Sequence, residues 1–333
     1  MSAREKQAWI VAAVALAAAG LGWALAPARF PHAWLSAFVA FSLWPLGSLA
    51  LLYAHALTGG RWGEALRPGL LAGATLTPFL ALLVIPVLLT LPALYPWARP
   101  DAAPLHNRFW LNLPFFFVRG AVSLALWSGL AFAALRGGNL VRLAPFALIA
   151  LALTATAAAI DFTMSLDPLF VSSAYGMIAA ASAGVVALSC AFLASPAAPP
   201  DVNAEIGKLL LGLTILWTYL DFMQIVIVFQ SDLVTQVPWY AARAKGPAGW
   251  VMGAISLMHS VVPFFALLLP SVRRSRLGLG AVAAVLLAAS IARAFWTVLP
   301  AAPRGPGLVD AACLLFMLAA GTAWAMRRRR IAC

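Results

Sequence analysis

Seven side chains able to move a proton or bond strongly lie within or beside long apolar runs: Arg119, Asp161, Asp167, Asp221, Gln224, His259 and Arg293. An ionisable group inside a membrane helix costs at least about 2.5–3.5 kcal/mol at the helix centre, so it faces a bundle interior or a wet cavity and is paired there. Asn112, Arg119 and Ser123 share one helical face, and Trp217, Asp221 and Gln224 share another. When the chain is traced back and forth across a bilayer, Arg119, Asp161, Asp167, Asp221 and Arg293 fall in the same outer half. Two arginines and three carboxylates neutralise one another only if their helices pack together, so the sequence predicts one polar cluster near the outer surface. Two chemistries fit it: a proton-conducting cluster, or the polar end of a quinone pocket. An ion-pair network that only fixes helix register fits the same residues. Asp167 has a second reading. It precedes Pro168 at the head of an expected helix, where an aspartate caps the first turn and favours the dipole.

His259 lies near the middle of an apolar run and reads most simply as a hydrogen-bonded core histidine. A b-type haem needs two facing histidines at matched depth. His32, His55 and His106 lie nearer the expected span ends, so no bis-histidine haem is expected. Cys190, Cys313 and Cys333 form no Cys-x-x-Cys pair. An iron–sulfur cluster, a zinc site or a disulfide framework is therefore not expected.

The elements that must position these residues follow from composition. The 333 residues are 64% hydrophobic and 10% charged, against roughly 45–50% and about 25% in soluble domains. Long unbroken apolar runs such as 209–229 read as membrane helices, because barrel strands would alternate polar and apolar residues. Ten spans are expected, at 8–26, 34–57, 69–93, 109–135, 140–160, 169–194, 205–229, 247–270, 277–299 and 307–326. Breakers fall between them: Pro27 and Pro31, Gly59 and Gly60, Pro100 and Pro104, Gly137 and Gly138, Pro196 with Pro199 and Pro200, Pro303 and Pro306. Pro78, Pro86 and Pro263 lie inside spans and are expected to kink them. Trp34, Trp110, Trp239 and Trp250 sit near span ends, as interfacial anchors do. No connection is long enough for a soluble domain, and the apolar N-terminal run reads as an uncleaved first helix. The net charge of +12 reflects loop arginines rather than a nucleic-acid surface. With the N-terminus cytoplasmic, fourteen lysines and arginines fall inside and six outside, which predicts both termini inside. Pro-Phe-Phe at 114–116 and again at 263–265 is a weak sign of internal duplication.

Four local patterns carry a resemblance. They are Trp110-Leu-Asn-Leu-Pro-Phe-Phe-Phe-Val-Arg119; Asp161-Phe-Thr-Met-Ser-Leu-Asp-Pro168; Gly207-Lys-Leu-Leu210 followed by Trp217, Tyr219, Phe222 and Gln224; and His259-Ser-Val-Val-Pro-Phe-Phe with Arg273 and Arg274 after it. In this order, over roughly 105–275, they resemble the ActF-type second large membrane subunit of alternative complex III. That complex is a bacterial quinol:cytochrome c oxidoreductase, and the subunit belongs to the polysulfide-reductase membrane-subunit (NrfD-like) superfamily. The chain departs from the pattern at Val234–Pro238, where relatives carry a Pro-Glu-Glu-like segment, and at Asp221, where an aromatic or aliphatic residue is expected.

The resemblance implies an all-α polytopic fold: a first helix and loop (1–33), two four-helix bundles (34–160 and 161–300), and a last helix with a basic tail (301–333). It implies a bacterial inner-membrane location and partner chains, namely a paralogous membrane subunit, an iron–sulfur subunit and cytochrome c subunits. It also implies a role in quinone binding and/or proton translocation without a redox metal held by this chain; in the family the quinol site is generally attributed to the paralogous membrane subunit and proton half-channels to this one. Two other readings are a secondary transporter, for which broken helices would be the cue, and a scaffold subunit with no site of its own.

Overall fold

The computed structural model describes residues 1–102, 107–137, 139–301 and 307–331. Pro104, His106, Gly138, Pro303, Arg304, Pro306 and Cys333 lie outside them. Among the described residues, ten helices are long and apolar enough to cross a membrane: Ala3–Leu25, Phe30–Thr58, Arg61–Leu89, Leu113–Leu135, Leu140–Leu166, Tyr175–Ala194, Pro200–Gln230, Ala248–Leu268, Arg276–Val298 and Leu308–Arg327. Helices close their own backbone hydrogen bonds, as hydrocarbon requires, and among these spans the third is the one that prolines cut into short pieces. The chain is an all-α, multi-pass membrane protein.

Two expected boundaries shift for local reasons. The third span starts at Arg61 rather than near 69, because Gly59 and Gly60, at φ 66 and 105, reverse the chain within two residues. Pro78, Pro86 and Pro92 then cut the chain after it into a Thr77–Phe79 3-10 turn and the short helices Leu80–Leu83, Ile85–Leu89 and Leu91–Leu94. Each proline lacks the N–H that would continue the ladder. The sixth span starts at Tyr175, not 169, and is preceded by Ala174 with no side-chain cap. Asp167 therefore does not cap it. Its Oδ1 accepts instead from the Leu169 N–H at 3.1 Å, inside the connection that follows the Met164–Leu166 turn.

The second and sixth spans cross at the centre, with the third and ninth packed beside them. Small residues permit this: a methyl on Gly47 would run into the Ala183 carbonyl, and one on Gly69 into the Ala191 backbone. Close backbone approach of this kind drives helix association where lipid supplies no hydrophobic force. The first span packs along the tenth, and Arg29 closes that end on Asp310 with a 2.6 Å bond. At the opposite end Arg61 bridges to Asp201 at 2.5 Å and to Glu205, tying the third span to the seventh. The two Pro-Phe-Phe elements sit at different depths, Pro114 in the first turn of the fourth span and Pro263 deep in the eighth.

The tryptophan expectation needs correcting. Trp250 is exposed at a span end, but Trp34 and Trp239 are buried and Trp110 bonds inward. Trp34 donates to the Leu83 carbonyl at 2.8 Å, and Trp239 stacks on Phe170 with centroids 4.4 Å apart. An indole buried this way anchors packing or a polar partner rather than a headgroup layer.

Candidate functional site

The fourth span starts at Asn112, whose side chain accepts from the Phe115 N–H at 2.9 Å and so caps the helix. That start places Arg119 almost two turns in, facing the last turn of the fifth span. There Arg119 meets Asp161 fork to fork: Nε donates to Oδ2 and Nη2 to Oδ1, both at 2.8 Å. Parallel bonds of this kind fix the planes of both groups. Trp110 Nε1 donates to the same Oδ1 at 2.9 Å. The guanidinium lies 4.1 Å from the Trp110 ring centroid and 4.2 Å from that of Phe115, a cation–π clamp. Arg119 Nη1 is buried without a hydrogen-bond partner among the described residues. Arg119 and Asp161 form the polar end of a cavity of about 210 Å³ whose walls include Phe38, Phe116, Phe117, Trp127 and Phe162.

A second constellation lies at the same end of the molecule, between the sixth, seventh and ninth spans. Arg293 pairs with Asp221 and lies 4.6 Å from the Trp296 ring centroid. One turn along the seventh span, Gln224 donates to the Tyr240 hydroxyl at 2.5 Å and accepts from Ser172. Tyr240 stands on the short helix Val237–Ala244, which also carries Arg243. Arg243 bonds the Trp239 and Thr297 carbonyls at 3.0 and 2.9 Å. Burial pushes its guanidinium down to about 10, so it stays charged at neutral pH. Tyr175, Gln224, Trp239, Arg293 and Thr297 line one small cavity.

His259 sits deeper, on a π-helical turn, Leu257–Val261, that opens the eighth span just before Pro263. Its ring lies on Trp217 with centroids 3.8 Å apart, and Nε2 faces Ser290 Oγ at 3.2 Å. Nδ1 has no partner among the described residues. Trp217 in turn donates to Ser182 Oγ at 2.8 Å. The histidine is thus a packed core group, as the sequence suggests.

The expected single cluster resolves into two ion pairs. Arg119 joins Asp161 and Arg293 joins Asp221, while Asp167 makes neither salt bridge and serves its own turn. Between the pairs stand Thr163 and Tyr175, hydrogen-bonded at 2.9 Å. Thr163 follows Asp161 by two residues, and Tyr175 shares a cavity with Gln224 and Arg293. Sequence reasoning missed Trp110 as a carboxylate partner, along with Tyr175, Tyr240 and Arg243. Only Trp110 left a usable signal: it lies nine residues before Arg119 in the same motif. Among the described residues no group of three or more His, Cys, Asp or Glu side chains could hold a metal ion. No protein-family model and no curated protein matches the chain.

Proposed function

We propose that this chain is an integral membrane subunit of a bacterial respiratory quinol:cytochrome c oxidoreductase, and that it binds quinone in the cavity at Arg119 and Asp161. The observation that carries the reading is the aromatic cavity that Arg119 and Asp161 both line, with a buried and unpartnered Nη1 on that same arginine. A quinone ring asks for this combination: apolar walls for the ring and tail, and a fixed donor for a carbonyl oxygen. Asp161 is engaged by three bonds, so its part is to hold Arg119 in position. The Arg119 guanidinium donates to a quinone oxygen, and the surrounding rings exclude water. Oxidising a quinol releases two electrons and two protons. The electrons pass to the iron–sulfur and cytochrome c subunits of the complex, beside which a paralogous membrane subunit stands. The protons leave at the end of the molecule that carries both ion pairs, where Thr163, Tyr175 and Gln224 supply hydroxyl and amide groups.

The chain lies in the cytoplasmic membrane with both termini inside, in accord with its lysine and arginine distribution. Purification in mild detergent tests the assignment. Haem-containing partners and quinol:cytochrome c activity should come down with the tagged chain. A colourless chain that purifies alone, from cells whose quinol oxidation survives its deletion, contradicts it. One feature supports the transporter reading, namely the proline-broken third span. Substrate-dependent uptake by the chain alone in liposomes would favour that reading instead.

A further inference from the structure

A groove of about 330 Å³ runs between the seventh and eighth spans. Ile215 and Tyr219 form one wall, Phe264 and Phe265 the other. At its floor the Thr218 and Ser260 hydroxyls meet at 2.9 Å, so their polarity is already satisfied. Lys208, Gly212, Ile215 and Tyr219 follow one another along a single face of the seventh span. A methyl on Gly212 would meet nothing within 4 Å, so the face is notched there. From Lys208 to Tyr219 the helix rises about 16 Å, close to the ~15 Å that one leaflet contributes to a ~30 Å hydrocarbon core.

The Lys208 end of this face is basic and lacks counter-charge. The eighth span ends at Leu268, and the turn Pro270–Arg274 lays Arg273 back across Gly207, where a Cβ would meet Arg273 Cγ at 2.8 Å. Arg273 Nε is buried without a partner, and Lys208, Arg273 and Arg274 make no salt bridge among the described residues. The nearest acids on the seventh span, Asp201 and Glu205, are both taken by Arg61.

We propose that this groove binds an anionic phospholipid, with its phosphate held by Lys208, Arg273 and Arg274 and one acyl chain laid along the notched face. The match of charge, length and apolar walls selects a lipid over a soluble anion, which would leave the groove unfilled. The site is independent of the quinone reading, since it lies on other spans than the cavity at Arg119.

Native mass spectrometry of the full chain tests it, after delipidation in detergent and addition of equimolar phosphatidylglycerol and phosphatidylcholine with identical acyl chains. Phosphatidylglycerol is expected to be retained at least about tenfold over phosphatidylcholine. A Lys208→Gln/Arg273→Gln/Arg274→Gln variant with an unchanged melting temperature should lose that preference. Gly212→Phe, which fills the notch and keeps the cations, should weaken retention of both lipids. Equal retention of the two lipids by the unaltered chain overturns the proposal, as does a preference that survives in the triple variant. Displacement of phosphatidylglycerol by millimolar inorganic phosphate also overturns it, and would mark a free-anion site.

Discussion

Arg119 spends two of its donor groups on Asp161, leaves Nη1 buried without a partner among the described residues, and lines an aromatic cavity together with that carboxylate. The arrangement makes separable predictions. Asp161→Asn leaves a cation buried without its counter-charge, and should destabilise the protein by about 3–5 kcal/mol, seen as a lower melting temperature in detergent. The double variant Arg119→Gln/Asp161→Asn removes both charges and should recover part of that loss. Arg119→Lys keeps the charge but loses the fork. It should preserve assembly of the complex while lowering its quinol oxidation at least about tenfold, the worth of one charged hydrogen bond. His259→Phe keeps a ring against Trp217 and loses one hydrogen bond to Ser290, so a melting shift corresponding to about 1 kcal/mol is expected. Charges stood out in so apolar a chain, which is why Arg119, Asp161, Asp221 and Arg293 were legible before any fold was known. Their pairing was not. Asp167 was expected either to join the cluster or to cap the sixth span, and the late start of that span leaves it doing neither. Tyr175 and Tyr240 carried no signal, because an aromatic residue in an apolar sequence reads as core.

Helices pack here through notches as much as through side chains. Gly47 lets the second span touch the Ala183 carbonyl of the sixth, whereas a methyl on Gly120 would meet nothing within 4 Å. Gly47→Ala should therefore lower expression and melting temperature sharply by prising the central pair apart. Gly120→Ala, in the same kind of helix, should be neutral or stabilising by up to about 1 kcal/mol. Detergent-solubilised yield and melting curves of the two variants make the comparison. All ten spans could be read from apolar run length, since hydrocarbon leaves a backbone few alternatives. Their ends could not, wherever glycine or proline chemistry decided them. The early start at Arg61 and the late start at Tyr175 follow from local turns that hydropathy does not sense.

At the scale of the whole molecule, the chain holds the ion pairs Arg119–Asp161, Arg293–Asp221 and Arg29–Asp310, while Arg61 pairs with Asp201 and Glu205 near Lys208, Arg273 and Arg274, which make no salt bridge among the described residues. The proposed orientation places the Arg119 and Arg293 pairs outward. A reporter enzyme fused at the C-terminus should then read cytoplasmic, and one inserted in the loop between the third and fourth spans should read external. The proposed function requires quinone to lie in the cavity beside Arg119. Photo-cross-linking of the purified complex with an azido-quinone, followed by peptide mapping, tests this directly. Label is predicted on the peptides holding Phe116–Trp127 and Ala158–Phe162, competed by unlabelled quinone and reduced in Arg119→Lys. Specific label found only on other subunits, and unaffected by Arg119→Lys, contradicts it.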